Sequence, residues 1–372
     1  MWATLLFYTF VVAAALQSLY FLLIFSKLAF RKKEKHKTKT SAQEAVSIII
    51  CAKNEAQNLK ENLPGILNQN YTNFEIVLIN DASTDNTLAV MEGFAAKHPH
   101  VKIVDVASNE TFWGNKKYAL TLGIKAATYN HLLFTDADCK PQTDYWLAEM
   151  ANCFSSQKTI VLGYSPYAYI KKSFVNILIR FETMLTGLQY ISYAAAGIPY
   201  MGVGRNLAYH RSEFFRANGF VEHIKLLSGD DDLFVNQVAT KANTAICLSP
   251  QSFMVSKPKR TFPEWFRQKR RHVSTANRYK AGHKILLSLY FISNVLFWVL
   301  IPVLISLSIQ LFWVLSIALS LILIKCIVYK GGFKKLGDTS LWWWSPVLEI
   351  FLITIQFAIF IANSISKPTH WK

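Results

Sequence analysis

AVSIIICAKNE, residues 45–55, runs through β-branched and aliphatic residues and then stops on Lys53, Asn54 and Glu55. So short an apolar run with a polar exit reads as a buried strand. NFEIVLINDASTDNT (73–87) repeats the plan, with Asn80, Asp81 and Ser83 at its exit. Between them, NEAQNLKENLPGILNQN (54–70) places Leu59, Leu63, Ile66 and Leu67 at a helical period. Further out, LAVMEGFAAKHP (88–99) reads as a second helix and VKIVDV (101–106) as a third strand. NKKYALTLGIKAAT (115–128) then gives a third helix and HLLFTDAD (131–138) a fourth strand. This alternation predicts an α/β fold, a mainly parallel sheet with helices on both faces. Ligands of such sheets collect at the carboxyl ends of the strands. Ala52–Glu55, Asp81–Asp85 and Asp136–Asp138 all fall at such ends and are expected to converge on one crevice.

Asp136 and Asp138, one residue apart after an apolar strand, repel each other and resist burial. A hard divalent cation shared by their oxygens, with waters and phosphate oxygens as its other ligands, turns that repulsion into attraction. A solvated turn is the competing reading.

The chain is 52% hydrophobic and 14% aromatic, more than a soluble domain carries. Residues 2–30 form an apolar stretch followed at once by RKKEKHKTK (31–39), the reverse of the charge order of a cleaved signal peptide. Residues 285–329 hold enough apolar sequence for two spans joined by a turn near Ser306–Gln310, and a further span is expected over about 345–365, led by the aromatic belt of Leu341–Trp344. The basic stretches 31–39, 257–284 and YKGGFKK (329–335) belong on the cytosolic side, which places both termini outside and residues 31–284 in a cytosolic body. This is the pattern of a multi-pass protein of the plasma (inner) membrane. The net charge of +17 crowds beside these spans, so anionic lipid headgroups are the expected partner and nucleic acid is not. Five cysteines with no CxxC pair and no metal-ligand spacing suit a reducing cytosol and argue against a structural disulfide or zinc site. FVNILIRFETMLTGLQYISYAAAGIPYM (174–201) is long and apolar, but Arg180 and Glu182 mark it as a core or membrane-surface helix.

SIIICAKNE, VLINDASTDNT, GNKKYAL, FTDADCKP, SGDDDLF and RQKRRH, in this order and spacing, resemble the membrane-bound family 2 glycosyltransferases of GT-A fold. Cellulose, chitin and hyaluronan synthases and ceramide glucosyltransferases belong to that family. The resemblance covers about residues 45–275. It implies that Ala52, Asn54, Glu55 and Asp81 hold the uridine of a nucleotide sugar and that Lys116 lies near its pyrophosphate. Asp136 and Asp138 match the D-x-D pair that carries Mg²⁺ or Mn²⁺. SGDDDLF occupies the place of the motif whose aspartate is the general base, Asp230 in one register and Asp231 in the other. GVGRNLAYHR (202–211), with Gly204, Arg205 and Asn206, matches the stretch lining the acceptor and donor-sugar pocket. Gln268 and Arg271 match a Q-x-x-R-W pattern in which His272 replaces tryptophan, and Arg271 is placed to neutralise the diphosphate. That substitution argues against processive polymer synthesis.

The expected layout is a transmembrane helix (1–30), a basic linker (31–44), a GT-A domain (45–255), an amphipathic interfacial segment (256–284) and three transmembrane helices (285–366). The expected activity is inverting transfer from a UDP-sugar to a lipid or lipid-linked acceptor at the cytosolic face. One metal and one base on opposite sides of the sugar imply inversion, whereas glycosidases flank the bond with two carboxylates. A processive polysaccharide synthase and an inactive scaffold of the same fold are the alternatives. No feature of the sequence sets an oligomeric state.

Overall fold

The computed structural model describes residues 1–32, 44–107 and 116–366. Most of the basic linker, and Gly114 and Asn115 of GNKKYAL, lie outside them.

Strands β1 (Val46–Ala52), β2 (Phe74–Asp81), β3 (Val101–Val106) and β4 (His131–Asp136) pair in parallel in the order β3-β2-β1-β4. β1 is buried along its whole length, as a continuous aliphatic run requires. Its side chains alternate between two cores: Ile48 and Ile50 pack on one face with Leu59 and Leu63, while Ile49 and Cys51 face the other with Leu120 and Ile124. After α1 (Trp2–Ala29), the helices α2 (Ala56–Leu67), α3 (Thr87–Ala95) and α4 (Lys116–Ala126) supply those layers where the periodicity placed them. Gly123 lets α4 approach the sheet, since a Cβ there would sit 2.2 Å from Ile79 Cδ1.

Beyond β4 the sheet changes sense. β7 (Leu207–His210) pairs antiparallel with both β4 and β6 (Ile160–Leu162), and β6 pairs in parallel with β8 (Thr244–Ile246). A separate antiparallel pair joins β5 (Cys139–Pro141) to β9 (Met254–Ser256). The sheet is therefore mixed and mostly parallel along its first half. Between these strands lie α5 (Trp146–Ala151), α6 (Phe174–Ala195), α7 (Arg211–Arg216) and α8 (Asp232–Val238).

Helix α9 (Phe262–Val273) opens with a capping box between Thr261 and Glu264. It leads to α10 (Ala281–Ser306), α11 (Leu311–Lys335) and α12 (Ser345–Ile365). Four helices, Trp2–Ala29, Ala281–Ser306, Leu311–Lys335 and Trp342–Ile365, are long and apolar enough to cross a membrane. Helix α6 is not one of them. Its Arg180 pairs with Asp338 and its Glu182 with Lys269 at 2.5 Å, so its charges serve as ties between layers.

Candidate active site

Parallel register sets the site. Ala52 lies opposite Asn80, and Cys51 opposite Asp136, so the exits of β2 and β4 flank the end of β1. At the first exit Asn54 adopts φ +55°, its Oδ1 accepting the N–H of Thr84 at 2.8 Å while its own N–H donates to Ser83 Oγ at 3.0 Å. Glu55 donates its N–H to Thr87 Oγ1 at 2.8 Å. The two exit loops are thus laced into one wall. Asp81 is buried there, and its Oδ2 has no hydrogen-bond partner among the described residues. Burial raises its carboxyl above the usual range, with Lys53 and Lys116 opposing.

Lys116, the first residue of α4, joins the acidic clusters. Its Nζ lies 3.0 Å from Asp136 Oδ1 and 3.0 Å from Asp230 Oδ2. Sequence positions 136 and 230 therefore meet on a single cation. Burial works to raise the Asp230 carboxyl, but Lys116 and Lys117 outweigh it and hold the group below its ordinary range. The neighbouring Asp231 behaves oppositely. Burial, then repulsion from Asp230 and Asp232, pushes it up to about 7. Both oxygens of Asp231 are engaged by main chain, Oδ2 by the N–H of Gly204 at 2.6 Å and Oδ1 by that of Asp232 at 2.7 Å. Gly204 permits this approach, for a Cβ there would sit 3.3 Å from Asp231 Oδ2. Lys116, Asp136, Gly204, Asp230 and Asp231 line one cavity, floored by Phe134 and Tyr209.

Asp138 follows β4, and burial and then repulsion from Asp136 and Glu55 raise its carboxyl, with Arg205 opposing. That local surplus of negative charge suits a divalent cation. Among the described residues no group of three or more acidic, histidine or cysteine side chains is gathered for a metal, so Asp136 and Asp138 form a pair whose remaining ligands would come from phosphate and water. Arg205 donates to Ser256 Oγ at 2.8 Å and lies 4.4 Å from the centre of the Tyr167 ring, while Gln268 reaches the Tyr167 hydroxyl at 3.4 Å. Arg271 lies on the same helix as Gln268, outside the cavity lining.

Asn206 departs from expectation. Its Oδ1 accepts from Trp146 Nε1 at 3.0 Å and its Nδ2 donates to the carbonyls of Tyr164 and Ser252, both at 2.8 Å. The amide is spent inside the core, so Asn206 fixes the 204–206 turn and presents no group to a ligand.

Three contributors were not foreseen. Lys117 donates to the carbonyls of Leu226 and Ser228 at 2.6 and 2.7 Å, pinning the loop before the acidic motif, and burial lowers its ammonium to about 8. Asp232 Oδ2 accepts hydrogen bonds from Thr275 Oγ1 and, at 2.7 Å, from the Tyr279 hydroxyl. Tyr167 supplies the platform under Arg205. The adjacent lysines of NKKYAL were the one available signal; the other contacts are too distant in sequence to leave a pattern.

A sheet mostly parallel along its first half, with acids at its carboxyl edge and helices long and apolar enough to cross a membrane towards both ends of the chain, is the arrangement of a GT-A fold. Residues 47–214 match the family model "Glycosyl transferase family 2". Over that stretch the chain is similar to the family 2 glycosyltransferases.

A mannosyltransferase from Pyrobaculum calidifontis, solved with GDP-mannose and Mn²⁺, has the same fold. It superposes with a TM-score of 0.60 at 18% identity, covering 91% of this chain and 99% of that one. Poly-β-1,6-N-acetyl-D-glucosamine synthase of Staphylococcus epidermidis is 32% identical over 121 residues, 32% of this chain and 28% of that protein. 4,4'-Diaponeurosporenoate glycosyltransferase of Staphylococcus haemolyticus is 28% identical over 158 residues, 42% of this chain and 40% of that protein. The matched stretch thus spans less than half of either curated relative.

Proposed function

We propose that the protein is an inverting glycosyltransferase that moves a sugar from a UDP-sugar to a lipid or lipid-linked acceptor at the cytosolic membrane surface. The observation that carries this reading is Lys116 bridging Asp136 and Asp230, because it brings the diphosphate end and the proton-accepting end of the reaction within one side chain's reach. Asp81, with a buried carboxylate oxygen that lacks a donor among the described residues, suits the N–H of a uracil ring, and the Asn54 loop closes beside it.

In-line displacement needs a carboxylate to take the acceptor hydroxyl's proton, a contribution of about 10²- to 10⁴-fold. Asp230 fills that role better than Asp231, whose oxygens are both held by main-chain N–H groups. While Lys116 is paired with it, Asp230 is a weak base. A diphosphate arriving beside Asp136 competes for the same ammonium, and Asp230, relieved of its cation, regains basicity as the donor settles. A Mg²⁺ or Mn²⁺ ion held by Asp136 and Asp138 would neutralise charge developing on the departing diphosphate. Arg205, beside Asp138, adds a second fixed cation.

The lipid acceptor is favoured by the apolar helices that hold the site at a bilayer and by the name of the Staphylococcus haemolyticus relative. The Staphylococcus epidermidis relative supports the polysaccharide-synthase alternative, which His272 in the tryptophan position of the Q-x-x-R-W pattern disfavours. The test is incubation of the full chain in lipid vesicles with labelled UDP-sugars, with and without Mn²⁺. Metal-dependent label in the organic-extractable fraction supports the reading; label in high-mass polymer supports the synthase, and neither transfer nor UDP binding supports the scaffold.

A further inference from the structure

The four apolar helices do not pack alike. α1, α10 and α11 form a bundle whose register is read from side-chain pairs: Phe10 stacks on Phe297 at 5.8 Å, Gln17 donates to Ser293 Oγ at 2.8 Å and Tyr20 to the Leu286 carbonyl at 2.7 Å. α1 and α10 are therefore antiparallel, with Ala29 and Ala281 at the end nearest the catalytic body. α11 also ends there, since its Gly331 lies against the Ala29 carbonyl. Far from the body, the bundle has its own apolar core of Phe10, Ala14, Leu300, Leu304, Val314 and Ala318. Among the described residues, none from 342–365 joins it.

Helix 342–365 is tied instead to the body's side at both ends. Before it, Asp338 pairs with Arg180 of α6, and Lys330 lies 5.1 Å from the centre of the Trp342 ring. Midway, Phe351 meets Phe174, the first residue of α6, at 5.7 Å, and Leu348 and Leu352 bury in the core that also holds Leu178 and Phe181. At its far end Asn363 accepts from Arg270 Nε at 2.9 Å and returns a bond to the Arg270 carbonyl at 3.0 Å, while Arg270 also caps the Ala362 carbonyl at 2.9 Å. Arg270 belongs to the strongly basic α9, a few residues before α10 starts. A 24-residue helix is about 36 Å long, so one that crossed a bilayer would carry its last turn some 30 Å from that surface.

We infer that residues 342–365 lie along the bilayer leaflet next to the catalytic body, and that this helix braces the Gln268/Arg271 helix against the leaflet. Its exposed residues fit such a seat: Trp343, Trp344, Phe360, Ile361 and Ile365 are open to the surroundings, whereas Leu348 and Leu352 are buried. An apolar stripe of this kind sinks roughly 5–10 Å into the headgroup and acyl boundary, and the lysines ending α11 face anionic headgroups. Glu349 is the inner staple. Its Oε2 accepts from Lys325 Nζ at 2.9 Å and from Trp298 Nε1 at 3.0 Å, and Asn294 Oδ1 accepts from the same lysine at 2.6 Å. The staple locks the leaflet helix onto α10 and α11 from the side. The arrangement leaves three crossing helices and puts residue 366 on the catalytic body's side, a layout that stands whether or not the proposed transfer reaction is correct.

The test is sidedness of the full chain in sealed vesicles. Single cysteines replace Glu92 on the body (Glu92→Cys), Ser308 in the turn between α10 and α11 (Ser308→Cys) and Ser364 (Ser364→Cys). Each is reacted with a membrane-impermeant maleimide and read above the parent chain's labelling. Ser364→Cys is expected to label from the same side as Glu92→Cys, with Ser308→Cys labelling from the other. Labelling of Ser364→Cys from the Ser308 side overturns the inference. An independent readout is protease removal of a tag fused after Lys372: loss from vesicles with the body outward supports the inference, and loss only from those with the body inward overturns it.

Discussion

Replacing Lys116 by methionine keeps the length of the side chain and removes the cation shared by Asp136 and Asp230. At 3.0 Å and an effective dielectric of about 20, each contact is worth roughly 5 kcal/mol before desolvation. Asp230 is 13% exposed and stays close to the cost of breaking a buried pair, about 3 kcal/mol, whereas Asp136 is 34% exposed and screening leaves it no more than about 1 kcal/mol. The expected loss is therefore about 3–4 kcal/mol, a fall in melting temperature on the order of 10 °C. Mn²⁺ restores positive charge beside Asp136, so Lys116→Met should gain more thermal stability from Mn²⁺ than the parent does. Thermal unfolding in detergent, with and without the metal, measures both effects. A variant melting within about 2 °C of the parent, with the same response to Mn²⁺, would refute the assignment of Lys116 as the link between the two acidic clusters.

Asp138→Ala should abolish Mn²⁺-dependent UDP binding while leaving the metal-free fold intact, as titration calorimetry would show. The pH dependence of stability follows from Asp231. Its folded carboxyl titrates near 7 against an ordinary value near 4, so the folded state holds that proton more tightly, and the associated stability, complete below about pH 4, is lost as pH rises through 7. Asp231→Asn should flatten the dependence of melting temperature on pH between about pH 4 and 7; an unchanged slope would contradict the assignment. Tyr279→Phe removes one of two hydroxyls from the buried Asp232 carboxylate and should cost about 1.5–3 kcal/mol, with Asp232→Asn milder than Asp232→Leu in denaturant titrations because it keeps an acceptor oxygen.

The first half of the fold was legible because its information is local. Each of β1, β2 and β4 is an aliphatic run ended by Asn, Asp or Glu, and the helices between them carry a clean period. The antiparallel half was not, because β6 and β8 are three residues long, too short for any period to show, and β5 finds its partner β9 more than 100 residues away. The same division holds in the site. Asp81, Asp136 and Asp138 were legible as acids at strand exits, and Asp230 and Asp231 as the acids of a motif whose register the sequence left open. Asn206 misled because a polar residue in a glycine-flanked turn reads as ligand-facing, while its three hydrogen bonds reach Trp146, Tyr164 and Ser252, over 40 residues distant. Lys116 and Lys117 are adjacent and identical in type. Only their roughly 100° separation around α4 sends one to the acids and the other to the 226–228 loop.

The central claim is that Asp230 accepts the acceptor's proton while Asp136 and Asp138 serve the diphosphate. The most direct measurement is donor turnover by Asp230→Asn in lipid vesicles, with UDP affinity determined on the same preparation. Retained affinity with turnover lowered by at least about 100-fold is the predicted result. Turnover within a few-fold of the parent would contradict it and pass the role to another group.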